Sequence, residues 1–298
     1  EQLLSQLTEE NSSLKKQLIQ VSSGKNRNTT SAIGSGPLQL KISGVRQLAK
    51  DIRAYELRGE NNEELPKIKA GAHIQVPITN KQGEVEYRHY SISSNPDRQD
   101  IYEIAVKNEH EGRGGSQWIH QHYHLGMTLK CKLPENYFSL SADKSETSIL
   151  IAGGIGITPI KSMALALINK DRDFTLHYAG KAQSQMAYFD RLKRILSGRL
   201  RTYFSESNQR MDLAKICKEA NENTTFYLCG PKRLISEFKD VANNYGIDES
   251  RIVFEAFSTT VDADSKPITL KLEKSQKTIQ VEKDESILDV LIKANIPV

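Results

Sequence analysis

Hydrophobic and polar residues alternate along much of the chain between residues 37 and 143. The alternation is clearest at 38–42 and 74–78, and it returns at 85–91, 102–107 and 127–133. A period of two is typical of strands with one buried face, and several short strands at this spacing favour a small antiparallel barrel or sandwich. We therefore predict an all-β domain over residues 37–143.

The pattern changes beyond residue 144. Short strand-like runs lie at 149–152, 175–178, 200–204, 225–228 and 252–254. Helical periodicity separates them, for example over 189–196 and 234–242. Alternating strands and helices predict a parallel sheet, here over residues 144–258, and such a sheet binds ligands at the carboxyl ends of its strands.

Both ends of the chain carry weaker patterns. Leucines and a valine with heptad spacing, with Asn11 at one core position, run through residues 1–21. This pattern predicts a helix, either a self-associating coiled coil, a single amphipathic helix or a remnant of cloning. Residues 22–36 are rich in Gly, Ser, Asn and Thr, which predicts a flexible linker. Since the chain begins at Glu1 and its last helical pattern runs to its end, we expect it to be a piece of a longer protein.

A further small unit follows a predicted linker at 259–266. Residues 268–272 and 278–281 predict a hairpin with a turn near 273–276, and Ser286 is the expected cap of a helix beyond it. We interpret residues 267–298 either as the beginning of another domain or as a stray hairpin with one helix.

Composition narrows the class of protein. Of the 298 residues, 38% are hydrophobic and 26% are charged, as in soluble globular proteins. No apolar stretch has the length of a membrane span, and no secretory signal is visible. The three cysteines are too scattered for a disulfide framework or a metal motif, which indicates a cytoplasmic protein. A net charge of +4 does not indicate nucleic-acid binding but would suit an acidic protein partner.

The segment SILIAGGIGITPI at 148–160 predicts a buried strand, a glycine turn and a helix start. Thr158 is the expected N-cap, and Pro159 suits the first helical turn. Backbone N–H groups and the helix dipole at such a start favour an anion, although the spacing is not GxGxxG and a tight turn in any α/β protein is the alternative. A second turn, Cys229-Gly230-Pro231, follows another predicted strand.

The β domain has two motifs of its own. RHYS at 88–91 ends a strand, and GRGGS at 112–116 opens a short helical stretch through His122. Arg88 offers a charged fork for a phosphate, and Tyr90 offers an aromatic face for a flat ring. Taken singly, Arg88 could be a surface charge, Tyr90 a core residue and the glycines a loop.

Taken in order, the motifs RHYS, RGGS, AGGIGITP, CGP and FEAF (254–257) make the chain similar to the ferredoxin–NADP reductase superfamily. Within it, residues 37 to the end resemble the phthalate dioxygenase reductase group. The resemblance implies an FMN-binding β-barrel at 37–143, an NAD-binding α/β domain at 144–258 and the start of a plant-type β-grasp ferredoxin domain at 267–298.

The resemblance also implies a flavin site. Arg88 and the turn residues would hold the phosphate, while Tyr90 and Ser91 would contact the ring and its N5 atom. The other implied contacts come from the same motifs and from the strand before the second turn. The implied flavin-binding residues are Arg88, His89, Tyr90, Ser91, Ala105, Lys107, Gly114, Gly115, Ser116, Thr158 and Phe257.

The nicotinamide site is implied in the same way. The NADH-binding residues would be Gly153, Gly154, Gly156, Ile157, Thr158, Pro159, Cys229, Gly230 and Pro231. The catalytic residues would be Ser91, Cys229 and Glu255, with Cys229 near the nicotinamide and Glu255 capping the flavin beside Phe257. The segment after the strand at 175–178, Gly180 to Gln183, contains no Arg to receive a 2′-phosphate, which favours NADH over NADPH. The alternative is NADPH, with Lys181, or Arg201 and Ser205 near the next strand, as the phosphate partners.

We therefore expect an oxidoreductase that passes electrons from NADH through FMN, and through a [2Fe–2S] centre of the full-length protein, to an oxygenase or haem partner. That partner could be fused upstream in the parent chain. None of the three cysteines has the spacing of a cluster loop, C-x4-C-x2-C. The alternatives are an FAD-containing reductase without a cluster, which the RGGS motif disfavours, and a non-catalytic flavin-binding regulatory module.

Overall fold

The computed structural model describes residues 32–143, 145–257, 266–273, 275–283, 285 and 287–296. The helix predicted at 1–21, nearly all of the linker predicted at 259–266 and the predicted cap Ser286 lie outside the described residues.

The first unit is a β-barrel with one helix. Its strands are β1 (Ile33–Gly34), β2 (Leu38–Ala49), β3 (Ile52–Gly59), β4 (His73–Thr79), β5 (Val85–Ser91), β6 (Tyr102–Lys107) and β7 (Thr128–Cys131), and its helix is α1 (Gly115–His122). One sheet has the order β1-β7-β2-β3-β6, and β4 pairs with β5 in a second. Isolated bridges from His73 to Glu135 and from Ile92 to Ile104 join them.

Apart from β1, which runs parallel to β7, the barrel pairs are antiparallel, as the period of two predicts. The predicted strands at 85–91 and 102–107 coincide with β5 and β6. Ile33 and Gly34 fall inside the predicted linker but form β1, because their backbone pairs with the edge of β7. The sequence pattern missed β3, whose residues are half-buried or buried on both faces and so do not alternate.

The second unit is a parallel sheet between helices. Its strands are β8 (Thr147–Gly153), β9 (Phe174–Gly180), β10 (Leu200–Phe204), β11 (Thr224–Gly230) and β12 (Ile252–Ala256). Its helices are α2 (Ile157–Asn169), α3 (Phe189–Leu196), α4 (Leu213–Glu219) and α5 (Lys232–Asn244). The order is β10-β9-β8-β11-β12 with all pairs parallel, which confirms the predicted α/β domain.

This strand order places a topological switch point between β8 and β11. The chain winds outward from β8 through β9 to β10 and then returns to the other side of β8 as β11. Ligands of open α/β sheets bind at the carboxyl ends of strands at such a point. Both predicted glycine turns, after β8 and after β11, therefore lie where a ligand is expected.

The two units share one hydrophobic cluster. Barrel residues, among them Ala49, Ile52 and Ala105, pack in the same buried cluster as Ile160 and Met163 of α2. A second cluster fills the barrel, and a third lies under α4 and α5 on the other face of the sheet. The carboxyl end of the sheet thus stands against the barrel.

The described part of the chain beyond residue 265 contains strands β13 (Ile268–Leu272) and β14 (Lys277–Val281) and helix α6 (Ile287–Lys293). The strands form the predicted antiparallel hairpin. Among the described residues, none of the helices has the length and apolar character needed to cross a membrane.

Candidate functional site

A cavity of about 350 Å³ opens between the barrel and the carboxyl end of the parallel sheet. It is lined by His73, His89, Tyr90, Ser91, Ala105, Lys107, Glu109, Ser116, Ile155, Thr158, Glu255, Ala256 and Phe257. An adjoining cavity of about 440 Å³ shares part of this lining and reaches Gly153, Gly154, Gly230 and Pro231. The fold therefore brings residues of all five motifs to one place.

Arg88 lies at the barrel end of the site, where it and Gly114 line a neighbouring cavity of about 750 Å³ rather than the 350 Å³ cavity, and its guanidinium pairs with Glu86 at 2.5 Å. A Cβ atom added to Gly115 would lie 2.7 Å from the Arg88 Nε atom, so the start of α1 rests directly on this side chain. Gly114, the residue before the helix, has a left-handed φ of 82° and open space around it. The first turn of α1 has no acidic residue and no side-chain cap. Its free N–H groups and the adjacent guanidinium form a site suited to a phosphate.

The ring end of the site includes a histidine that sequence reasoning missed. The hairpin turn after Thr79 sets the register of β4 and β5, and this register places His73 opposite Ser91. His73 is buried, and its Nε2 atom has no hydrogen-bond partner among the described residues. Burial, helped by His89, lowers the pKa of His73 below its usual value, so the ring is neutral at pH 7. The hairpin register alone could have identified this residue.

Strand β6 and the following loop form the floor of the cavity. Ala105 is buried, and Lys107 at the strand end pairs with Glu109 at 2.7 Å. The Glu109 N–H donates to Ser116 Oγ at 3.0 Å, which ties the loop to the start of α1. Glu109 was not predicted as a site residue, although it contacts both cavities.

The turn after β8 differs from the sequence prediction in one respect. Helix α2 begins at Ile157 with Gly156 as N-cap, so the prediction that Thr158 is the N-cap was wrong. The turn passes through a 3₁₀ segment directly into the helix, and Thr158 is already helical. Its hydroxyl donates to the Ile155 carbonyl at 3.0 Å while the residue lines the cavity.

Not all of the implied NADH-binding residues line a cavity. Gly153, Gly154, Gly230 and Pro231 do. Ile157 and Pro159 are buried in α2, and a Cβ atom on Gly156 would meet the Cys229 carbonyl oxygen at 2.2 Å. The contact between Gly156 and Cys229 is therefore backbone packing between the two turns.

The strand ends β11 and β12 carry the implied catalytic pair. Cys229 pairs in register with Glu255, but its side chain is fully buried and lines neither cavity, and burial raises its pKa well above the usual value. Glu255 does line the cavity. Burial raises its pKa to about 7, and its Oε2 atom is buried without a hydrogen-bond partner among the described residues. Phe257, 38% exposed, lines both cavities, and its N–H donates to the Gly230 carbonyl at 3.1 Å.

This arrangement fits a flat, partly polar ligand with a phosphate, as a flavin has. The phosphate would lie at Arg88 and the start of α1, and the rings would lie between Tyr90 and Phe257. The His73 Nε2 and Glu255 Oε2 atoms would supply polar contacts that the protein itself leaves unmade. Burial raises the pKa of Tyr90 far above its usual value, so its hydroxyl stays protonated and can donate a hydrogen bond.

Two family models match the chain. Residues 39–139 match an oxidoreductase FAD-binding domain, and residues 127–252 match the N-terminal domain of dimethylamine monooxygenase subunit DmmA-like proteins. The heme-dependent oxidative N-demethylase beta subunit of Ectopseudomonas mendocina is 34% identical over 88% of this chain and 82% of that protein. The vanillate O-demethylase oxidoreductase of a Pseudomonas species is 32% identical over 87% of this chain and 82% of that protein.

Solved structures are similar as well. Phthalate dioxygenase reductase, described as modular for electron transfer from pyridine nucleotides to [2Fe–2S], has a TM-score of 0.70 at 30% identity over 88% of this chain and 81% of its own. An intact type IV self-sufficient cytochrome P450 monooxygenase has a TM-score of 0.70 at 33% identity over 87% of this chain. This chain spans 33% of the length of that monooxygenase.

Proposed function

This chain belongs to the phthalate dioxygenase reductase-like family of ferredoxin–NADP reductases, and from that premise we propose that it binds FMN in the cavity between its two units and reduces it with NADH. The chain is an oxidoreductase, the reductase component of an oxygenase system that passes electrons from NAD(P)H via a flavin. The observation that carries the proposal is Arg88 packed beneath Gly115 at an uncapped helix start.

A bound flavin would supply a two-electron acceptor for the hydride that a reduced nicotinamide gives up, and Tyr90, Ser91, Thr158 and Phe257 would hold it in the cavity. The role of the protein is to hold the two rings in contact, and orientation of this kind supplies much of the rate. Ser91, Ala105, Thr158 and Phe257 border the ring space. Glu255, with a pKa of about 7, can hold a proton on its carboxyl at the edge of that space.

The resemblance implies that Cys229 lies near the nicotinamide, and we propose a different role for its side chain. Because its thiol is buried and protonated, it would contribute through its backbone and through packing against the turn at Gly156. We therefore propose Ser91 and Glu255, rather than the Cys229 thiol, as the polar groups that contact the reacting rings.

NADH preference rests on the end of strand β9. Gly180 is followed by Lys181, Ala182 and Gln183, and the Lys181 Nζ atom lies 3.5 Å from Glu206. Arg201 donates to the carbonyl of Gly198. Lys181 and Arg201 each have a partner of their own and no arginine follows β9 directly, so we expect kcat/KM to be higher for NADH than for NADPH, and equal values would contradict this preference.

An iron–sulfur centre needs cysteine ligands, and the three cysteines of this chain are not placed to supply them. Cys131, Cys217 and Cys229 lie in the barrel and the α/β unit, all three are buried, and no group of three or more metal-ligating side chains occurs among the described residues. The residues present therefore do not fit a [2Fe–2S] cluster. We assign the cluster to the full-length protein's ferredoxin domain, of which β13, β14 and α6 would be the start.

A second candidate is an FAD-containing reductase without a cluster. It is favoured by a cavity of about 750 Å³ beside Arg88, lined by Lys81, His110, Arg113 and Trp118 among others, which offers room for more than a flavin mononucleotide. The family model for residues 39–139 is also that of an FAD-binding domain. The RGGS form of the second motif supports FMN instead.

Mass spectrometry of the flavin released from the purified protein decides between these candidates. Release of FMN supports the proposal, release of FAD supports the alternative, and failure to bind either flavin overturns both. The same preparation should oxidise NADH with ferricyanide but reduce cytochrome c poorly, because the cluster ligands are not among these residues. A protein that binds flavin but never turns over would be the regulatory module.

A further inference from the structure

A lysine is buried where the two units meet. Lys161 of α2 is 1% exposed and lies one helical turn after Thr158, so both side chains are on the same face of the helix. Its Nζ atom donates to Glu103 Oε1 at 2.8 Å and to the Ser93 carbonyl at 2.5 Å. The ammonium group also stands 4.3 Å from the centre of the Tyr188 ring. The nucleotide unit is thus bonded to the barrel through one buried charge.

Its partner belongs to the strand that lines the flavin cavity. Glu103, 4% exposed, is on β6, and residues at 103, 105 and 107 share one face of that strand. Ala105 and Lys107 line the cavity. The Lys161–Glu103 pair therefore joins the face of α2 that carries Thr158 to the face of β6 that carries Ala105.

The pair is well satisfied by its surroundings. Ser93 Oγ donates to the Glu103 carbonyl at 3.0 Å and shares a hydrogen bond of 2.8 Å with the Tyr188 hydroxyl. Arg46 forms a second ion pair with the Glu103 carboxylate. Burial opposes the charge on Glu103, but Lys161 and Arg46 outweigh it and lower the pKa of Glu103, so the carboxylate is ionised at neutral pH.

A buried ion pair of this kind is a weak source of stability, because desolvation of the two charges offsets their attraction. Its advantage is that it is directional. The surrounding contacts between α2 and the barrel are apolar and involve small residues such as Ala49 and Ala105, and apolar contact is not directional. The hydrogen-bonded pair restricts sliding or rotation of α2 against β6, and it is supported by the buried Ser93–Tyr188 bond and by bonds from Asn169 at the end of α2 to Asn95 and Asp97.

We propose that Lys161 and Glu103 are positioning residues that fix the nucleotide turn at 153–156 against the flavin strand β6 and thereby set the rate of hydride transfer. The inference rests on the proposed function, since it assumes that nicotinamide and flavin meet at this junction. A displacement of about 1 Å between reacting groups can lower a rate by about a hundredfold. Loss of the pair should therefore lower the transfer rate without weakening either cofactor's own contacts.

The test is the double variant Lys161→Met with Glu103→Gln in the flavin-loaded protein. It removes both charges at nearly constant volume, so the fold is expected to persist. Rapid mixing with NADH should give a limiting rate of flavin reduction between about tenfold and about a hundredfold lower, with unchanged flavin affinity and unchanged half-saturating NADH. NADH deuterated at C4 should show a changed isotope effect on this limiting rate, which loss of stability alone would not produce.

A matched control is available in the pair Arg172–Glu146, whose side chains are 7% and 11% exposed and which lies away from the cavity. Arg172→Met with Glu146→Gln should leave the limiting rate and the isotope effect unchanged. If the first double variant does not fold, Glu103→Asp serves, since it keeps both charges but draws the carboxylate back from Lys161, and a smaller fall in rate is expected. A wild-type limiting rate and isotope effect in whichever variant folds would overturn the inference, whereas a wild-type protein that binds no flavin would overturn the proposed function instead.

Discussion

The two glycine-rich helix starts of this protein look alike in sequence but use glycine for different reasons. At the start of α1, Gly114 has a left-handed φ of 82° and nothing within 4 Å of an added Cβ atom. At the start of α2, a Cβ atom on Gly156 would meet the Cys229 carbonyl oxygen at 2.2 Å, and one on Gly153 would meet Pro231 at 2.8 Å. The first turn is open toward a ligand at Gly114 and meets the Arg88 side chain at Gly115, while the second is closed on its inner side, at Gly156, by backbone.

The difference indicates what each turn must do. The turn at α1 has to leave backbone N–H groups accessible above Arg88, so its glycine is required by conformation. The turn at α2 has to bring the ends of β8 and β11 into backbone contact at the switch point, so Gly156 is required by space. Gly154, with a φ of 56° and open surroundings, is the one residue of the second turn that resembles the first.

The largest expected effect comes from closing the space at the second turn. Gly156→Ala should lower the free energy of unfolding by about 3 kcal/mol, because neither backbone at the Cys229 contact can move aside cheaply. Denaturant titration measures this loss. Gly198→Ala is the control, since an added Cβ there meets nothing within 4 Å, and its effect should stay within about 0.5 kcal/mol. Equal stability of the two variants would remove the contrast between the turns.

The next effect concerns the ligand at the first turn. Arg88→Ala should weaken flavin binding about a hundredfold, which corresponds to about 3 kcal/mol for charged hydrogen bonds to a phosphate. Flavin fluorescence during titration of the apoprotein measures it. Arg58→Ala provides the matched control, because Arg58 is a barrel arginine paired with Asp100 at 2.6 Å and, unlike Arg88, does not line the 750 Å³ cavity at the start of α1. Full flavin occupancy in Arg88→Ala would contradict the assignment of the first turn.

The third expected effect is a pH dependence of folding stability that arises at Glu255. Its pKa is raised from 4.5 to about 7, so the protonated carboxyl stabilises the folded apoprotein fully below pH 4.5 and this contribution is lost as the pH rises toward 7. Above pH 7 the buried charge should cost on the order of 2 kcal/mol, and Glu255→Gln should remove that cost. Thermal unfolding of both proteins from pH 4.5 to pH 9 measures the difference. Parallel pH profiles would mean that Glu255 is not perturbed.

The smallest effect distinguishes the two kinds of glycine within one turn. Gly154→Ala meets no neighbour but must adopt φ near 56°, which should cost about 1 kcal/mol in stability. Gly114→Ala should cost a similar amount for the same reason. If Gly154→Ala were as damaging as Gly156→Ala, the second turn would not have an open side.

Much of the fold was predictable because its strands carry local patterns. Strands β5, β6 and β10 coincide with the predicted runs, and the carboxyl-end position of both glycine turns follows from the strand–helix alternation. Strand β3 was not predicted, because Tyr55 is buried next to Ala54 and the alternation is lost. Helix α4 was missed as well, since its seven residues are too few for a clear periodicity.

The site was less predictable where it depends on contacts between distant segments. Lys161 and Glu103 are 58 residues apart, and neither stands out in its own helix or strand. Cys229 sits within a recognisable motif, but the motif does not reveal that β11 is buried on both faces at that point. Gly156 illustrates the same limit, because its neighbour Cys229 is supplied by a strand that the local sequence does not specify.

The central claim is that the two turns hold a flavin and a nicotinamide against each other. Anaerobic mixing of the purified, flavin-loaded protein with NADH tests it most directly, with the visible flavin absorbance as the signal. We expect the flavin band to bleach in full with one equivalent of NADH, and Arg88→Ala, which binds flavin more weakly, to show a smaller band at the same flavin concentration. A bound flavin whose absorbance NADH leaves unchanged would contradict this account.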